Sequence, residues 1–414
     1  MPQKTKRHSK KNGHGKHGKK VDDCLYKNLD LPAEIALYYG FTPTEAPTIS
    51  KEDVKKARVL KEHEQKTRDS GEMSLCLPLE QKVALIRLYG DKKMEHLSQP
   101  VMLYFGKPIA AGNTDKKNKG KDRVVSLEIM GTPKSIAEAL LIKTAIEILK
   151  EEGFGSLSVH LNSVGERDTL ARFSRELTAY YRKNSEALPS HCRQLLKKEV
   201  FDLLACTNEK CRTLKEGAPK SMSFLSEQSR QHFKEVLEYL EILEIPYEID
   251  HCLMGSRSFS CQTLFEIHDL KKSSASQPLA VGIRYASVAK KLGLRRDLPG
   301  VGVQLTFKET REHERKNLKF NKPKIYFIQL GFEAKLKSLK IIEILRKNKI
   351  PMHHGVSRDK LISQFSVAEN MKIPYTIIMG QKEALDDTVI VRTMWNRSQE
   401  TIKISELPKY LKKL

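Results

Sequence analysis

With one tryptophan, seven scattered cysteines and no long apolar run, this chain of 414 residues lacks what several protein classes require. No stretch approaches the roughly 18–20 apolar residues of a membrane-spanning helix, so a membrane partner is not expected. Residues 1–20 have none of the apolar character of a secretory signal. An odd cysteine count without such a signal argues against a disulfide framework and for a reducing, cytoplasmic setting. Acidic residues are also short, 51 Asp and Glu against 74 Lys and Arg, leaving a net charge of +23 and a pI of about 9.5. A surplus this large favours a polyanionic partner, most often nucleic acid, although plain solubility accounts for some of it.

What is present divides the chain. The opening, MPQKTKRHSKKNGHGKHGKK, has eight Lys and Arg, three His, no acidic residue and no aliphatic residue beyond Met1. Such a segment cannot bury a core, so residues 1–22 are expected to be a disordered basic tail, either an RNA-seeking arm or a solubilising one. The rest is long enough for about two domains. LPAEIALYYG at 31–40 has helical apolar spacing with Gly40 as a stop, and a second helix is expected over 79–90. VMLYFG at 101–106 and VVSLEIMG at 124–131 read as paired strands joined by a basic loop. SIAEALLIKTAIEILKEEG at 135–153 is the clearest helix, with Ser135 and Glu138 in a capping-box pattern and Gly153 behind it. SLSVHLNSV at 156–164 is a strand. Residues 166–243 are helical in pattern, broken at CTNEKCRTLKEGAPKS, and strands return at 262–268, 279–285 and 301–307. The charged stretch 308–324 reads as a linker. Beyond it strand and helix alternate: IYFIQLG, AKLKSLKIIEILRKN, IPMHH, DKLISQFSVAENM and IPYTIIMG, then VIVRTMW and a last helix, ELPKYLKKL. That alternation predicts an α/β domain with a mainly parallel sheet.

Several strings in this order carry a family signature: ALYYGFTPTEAPTI at 36–49, HLNSVGERD at 160–168, APKSMSFLSEQSRQHFKEVLEYLEILEIPYEID at 218–250 and GVSRDKLISQFSVAENMKIPYTIIMG at 355–380. From about residue 25 onward the chain resembles histidyl-tRNA synthetases. The resemblance implies an α+β architecture: a class II antiparallel sheet of six strands with flanking helices over residues 23–310, a helical insertion at about 166–245, a linker at 311–324 and an anticodon-binding-like α/β domain at 325–414. It also implies a homodimer.

Adenylation of histidine by ATP builds negative charge on the α-phosphorus, so a working site needs fixed cations and metal-holding carboxylates. Carried onto this chain, the first family arginine falls on Ala110 and its acidic companion on Gly112. The second falls on Glu309, a reversal of charge, and a small residue that admits ATP is replaced by Thr306. In HCLMGSRSFSCQTLFEI at 251–267 the amino-acid-binding arginine falls on Gly255, the aspartate on Ser258, and the two tyrosines on Phe259 and Ser260. Lys107 is a flexible ammonium, not a guanidinium fork, and Arg257 is displaced from the required position by about 7 Å. Each lost charge-stabilising group costs roughly 10²–10³ in rate, about 3–4 kcal/mol. No bound cofactor is therefore expected; ATP and Mg²⁺ enter only if the chain is an active ligase. Glu80, Arg284 and Tyr285 persist as residual substrate-pocket candidates, or simply as scaffold.

RNA binding does not depend on those arginines. Lys116, Lys117, Lys119, Lys121 and Arg123 occupy the loop that meets the tRNA acceptor end in the family, or form a solvated charge run. In the last domain Gln364 and Phe365 keep a family pattern, while Arg392, Trp395, Asn396 and Arg397 suit stacked bases, unless Trp395 packs a core. Cys192, Cys206 and Cys211, beside His191, resemble a cysteine set in some relatives' insertions. Pro189 stands where a fourth thiolate would complete the set, so no metal is expected and the thiols read as buried side chains. The leading expectation is a non-catalytic relative that binds tRNA or another structured RNA in a translation-related or ribosome-associated role. The alternatives are an active histidine–tRNA ligase with displaced groups and a regulatory subunit related to histidine biosynthesis.

Overall fold

The computed structural model describes residues 29–62, 79–110, 122–255, 260–271, 277–286, 288–308 and 323–414. The basic tail, Gly112, the lysines 116, 117, 119 and 121, the segment 256–259, Glu309 and residues 311–322 of the expected linker lie outside them.

The first part begins with α1 (Leu31–Tyr38), β1 (Thr42–Pro43), α2 (Lys51–Glu62) and α3 (Leu79–Asp91). It continues through β2 (Val101–Phe105), β3 (Asp122–Met130), α4 (Ile136–Glu151) and β4 (Leu157–Ser163). The insertion comprises α5 (Arg167–Lys183), α6 (Ser190–Lys198), α7 (Asp202–Ala205) and α8 (Glu209–Glu216), after which α9 (Glu227–Ile242) returns to the sheet. β5 (Tyr247–Ile249), β6 (Ser260–Asp269), β7 (Ala280–Tyr285), α10 (Val288–Lys291) and β8 (Gly300–Lys308) complete this part.

Its sheet has eight strands in the order β1-β2-β3-β8-β7-β6-β4-β5. The six inner strands are antiparallel throughout, as expected, and the two short edge strands pair parallel to their neighbours. Both faces are covered, so the strands read as nearly unbroken apolar runs instead of clean alternations. Period-2 geometry still sorts the side chains. Val125, Leu127 and Ile129 of β3 join Val301, Val303 and Leu305 of β8 under α1, α4 and α9. Leu103, Phe105 and Met130 face the other way, toward α2, α3 and α10.

The capping box expected at 135–138 does not form. Ser135 makes no side-chain cap bond and its hydroxyl donates to Glu235 Oε2 at 2.5 Å, while Glu138 turns into the protein. Tertiary partners captured both residues. The helical insertion is as expected, except that EKCRTLKE, assigned to a break, is helix α8, capped by Asn208 accepting from the Lys210 N–H at 3.1 Å.

The last part contains β9 (Ile325–Gln329), α11 (Phe332–Lys347), β10 (His353–His354), α12 (Leu361–Asn370), β11 (Tyr375–Met379), α13 (Gln381–Leu385), β12 (Thr388–Thr393), β13 (Gln399–Lys403) and α14 (Leu407–Leu411). Its five-stranded sheet runs β10-β9-β11-β12-β13. Only β10-β9-β11 is parallel; β12 and β13 form an antiparallel hairpin, so the sheet is mixed. The sequence of β13, QETIK, is too polar to announce a strand, because its residues are largely exposed at the sheet edge. The second sheet docks through α11 onto α1 and α9, where Phe332 meets Tyr239 edge-on at 5.6 Å between ring centroids.

Candidate functional site

Gly300 and Gly302 of β8 open a shallow bed on the sheet face toward α3. The side chains filling it are Tyr285 from β7 and Glu128 from β3. A Cβ on Gly302 would stand 2.2 Å from a Glu128 oxygen, and one on Gly300 would stand 2.6 Å from the Tyr285 ring. Lys82 reaches down from α3, its Nζ 2.5 Å from Glu128 Oε1 and 4.5 Å from the Tyr285 ring centroid. The Tyr285 hydroxyl donates to Glu128 Oε2 at 3.0 Å. All three side chains are buried. Burial pulls the Lys82 ammonium below its ordinary value against the pull of Glu128, and burial with Glu128 pushes the Tyr285 hydroxyl well above its own. The result is a neutralised plug. Sequence reasoning missed Lys82 and Glu128; the signal was a charged residue at an inward position of VVSLEIM opposite two alternate glycines.

Arg284 points through the opposite face. Its guanidinium takes Glu138 of α4 in a two-toothed ion pair, with Nε to Oε1 at 2.5 Å and Nη2 to Oε2, and donates to the carbonyls of Thr132 and Lys134 at 3.0 Å each. His232 of α9 lies 2.7 Å from the same carboxylate. Each nitrogen of this fork has a protein partner, so Arg284 clamps α4 and α9 to the sheet. Burial alone would raise Glu138, but Arg284 and His232 hold it down at about 2.

Gly255, where the resemblance places the amino-acid-binding arginine, has no room for a side chain. A Cβ there would meet Ser260 Oγ at 2.5 Å and Leu264 Cδ2 at 2.9 Å. Ala110 is partly exposed, and its carbonyl accepts from the Ile49 N–H at 3.0 Å. Lys107 and Thr306 are exposed, and Glu80 is half-buried in the first turn of α3. Among the described residues, the two buried cations of this region, Lys82 and Arg284, are each paired with a buried carboxylate.

Two of the expected RNA contacts are structural instead. Arg123 is largely buried, paired at 2.5 Å with Asp30, the residue that caps α1 through the Ala33 N–H and accepts from Tyr104. Gln364 is fully buried and donates to the Gln329 carbonyl at 2.9 Å while accepting from the Gln329 N–H at 3.3 Å, which fastens α12 to β9. Phe365 is partly buried, and the Arg392 guanidinium lies over its ring at 5.2 Å. The hairpin between β12 and β13 is different. Trp395 is 82% exposed, which rules out a core role. Asn396 shapes the turn by accepting from the Ser398 N–H at 3.0 Å, and Arg397 follows in the left-handed region at φ 61°.

The insertion gathers a further cluster. Cys192 Sγ lies 3.1 Å from His191 Nε2, 3.2 Å from Cys211 Sγ and 3.5 Å from Cys206 Sγ.

Comparisons with known proteins find similarity over most of the chain. Residues 324–414 match the family described as an anticodon binding domain. The histidine–tRNA ligase of Listeria innocua is 26% identical over 81% of this chain and 80% of its own, and that of Clostridioides difficile 23% over 92% and 93%. The solved apo histidyl-tRNA synthetase of S. aureus is 21% identical, with a TM-score of 0.48 over 92% of this chain and 93% of that one. No described helix is long and apolar enough to cross a membrane. Over most of its length the chain is thus similar to histidine–tRNA ligases, and residues 324–414 match an anticodon binding domain.

Proposed function

We propose that this protein binds tRNA or a closely related structured RNA without forming histidyl-adenylate. The observation that supports the reading is a contrast between two surfaces. On the synthetase-like sheet the buried cations are spent on internal carboxylates, the arginine position at Gly255 admits no side chain, and Ala110 offers none. On the anticodon-binding domain, the exposed Trp395 and Arg397 share one turn, beyond the strand that carries Arg392 over Phe365. Triphosphate chemistry needs preorganised positive charge, whereas base stacking needs an open ring with cations beside it. The lysines of the loop at 116–121 would add phosphate contacts. ATP and Mg²⁺ have no role in this reading, and a homodimer built on the first sheet in the cytoplasm is the assembly the family likeness suggests.

The names of the matched relatives support a second reading, an active histidine–tRNA ligase. Filter binding of total tRNA across a salt series, run beside histidine-dependent ATP–pyrophosphate exchange, separates the two. We expect binding that weakens steeply with salt and no exchange; exchange dependent on histidine selects the ligase. Absence of tRNA binding overturns both.

A further inference from the structure

We propose that the helical insertion holds one structural zinc ion, bound by Cys192, Cys206, Cys211 and His191. Four ligands at Zn–S of about 2.3 Å and Zn–N of about 2.0–2.1 Å place tetrahedral donor atoms roughly 3.5–3.8 Å apart. Here the separations from Cys192 Sγ are 3.1, 3.2 and 3.5 Å, each within roughly half an ångström of that spacing, and Cys211 joins the group through Cys192. The His191, Cys192 and Cys206 donor atoms all lie within 4.8 Å of one another. Three sulfurs and an imidazole form a closed structural set suited to zinc.

Three further observations point the same way. First, the donors come from elements too short to stand alone: the start of α6, the residue ending four-residue α7, and the first turn of eight-residue α8. The core beneath them is small, centred on Phe173, Leu177, Tyr181 and Leu203. Subdomains of this size commonly need a staple. Second, the Asn208 backbone N–H is hydrogen-bonded to the Cys206 sulfur, with Lys215 nearby. An amide aimed at a sulfur is the outer support a bound thiolate requires. Third, among the described residues the buried Tyr181 hydroxyl has no hydrogen-bond partner, and the Cys211 side chain is its near neighbour. A zinc-bound thiolate would accept from it; a neutral thiol is a weak acceptor.

Binding exchanges protons for the ion. Three thiols lose their protons to solvent as Zn²⁺ forms three Zn–S bonds and one Zn–N bond, leaving one net negative charge beside Lys215. A disulfide between two of the thiols would strand the third and the histidine. This inference is independent of the RNA-binding reading.

The test measures zinc in the full chain purified in chelator-free buffer from zinc-supplemented medium. We expect about one zinc per chain, about a tenth of that or less in Cys192→Ser and Cys206→Ser, and full content in Cys261→Ser, whose thiol lies on β6 away from the cluster. Because ligand variants can misfold, zinc-stripped wild-type protein is also titrated with Co²⁺. Saturation at about one equivalent with intense tetrahedral, thiolate-rich absorption supports the site. Wild type with less than about a tenth of a zinc, weak octahedral Co²⁺ absorption, or a disulfide joining Cys192 to Cys206 or Cys211 in peptide maps overturns it.

Discussion

Trp395 loses little water-exposed area on folding, whereas a stacked base would cover its ring. Replacing it with alanine should weaken tRNA binding roughly 10-fold or more, since stacking on an aromatic contributes about 1–3 kcal/mol per base. The melting temperature should stay unchanged, because the side chain is 82% exposed. As the chain's one tryptophan, its fluorescence reports the contact directly, so emission unaltered by saturating tRNA would argue against this site. Gly255 makes the opposite case. Gly255→Ala should cost about 1–3 kcal/mol in denaturant unfolding, because the new Cβ collides with Ser260 and Leu264. Gly255→Arg should fail to restore adenylation for the same reason. At this scale the sequence was an uneven guide. It identified Ala110 and Gly255 as small residues and drew attention to Trp395. It offered Arg123 and Gln364 as RNA contacts, and a residue pattern carries no information about which side chain the fold buries and pairs.

Helix α4 shows how one element is held. Its SxxE start promised a cap, but Glu138 instead receives Arg284 and His232, which are distant in sequence. That competition is invisible locally, because strand β7 and helix α9 arrive only with the tertiary fold. The consequence is acid sensitivity of a definite sign. Glu138 is held at about 2 against an ordinary 4.5, so its stabilisation is fully present above pH about 4.5 and is lost as pH falls toward 2. At neutral pH this amounts to about 3 kcal/mol. Unfolding of wild type and Glu138→Gln should therefore differ most near pH 7 and converge toward pH 2. A gap that stays constant with pH would show that the ion pair is not its source. The hairpin β12–β13 was half legible for a related reason: VIVRTMW has strand character, whereas its partner is a solvated edge.

Across the whole molecule, the two sheets meet at a charged seam. Arg346 of α11 bonds Glu343 at 2.9 Å on its own helix and Glu147 of α4 at 2.9 Å, while the Tyr39 hydroxyl donates to Glu343. His354 donates to the Tyr39 carbonyl at 2.9 Å, and Arg358 donates to the Gln99 carbonyl at 2.7 Å. Removing one partner of such a network leaves charges uncompensated, at a cost of about 3–5 kcal/mol. Arg346→Ala should split calorimetric unfolding into two transitions, the earlier belonging to the last domain; a single unshifted transition would contradict that role. The seam could not be read from sequence, since its members are charged residues indistinguishable there from a solvated face. The order of elements could be, because short motifs in fixed succession resemble those of a family of known topology. A two-sheet scaffold similar to histidine–tRNA ligases, a plugged sheet and a net charge of +23 together form the account. Histidine-dependent ATP–pyrophosphate exchange, measured on a preparation shown to bind tRNA, tests it most directly. The account predicts no exchange above the protein-free background at any histidine concentration; saturable exchange requiring histidine would contradict it.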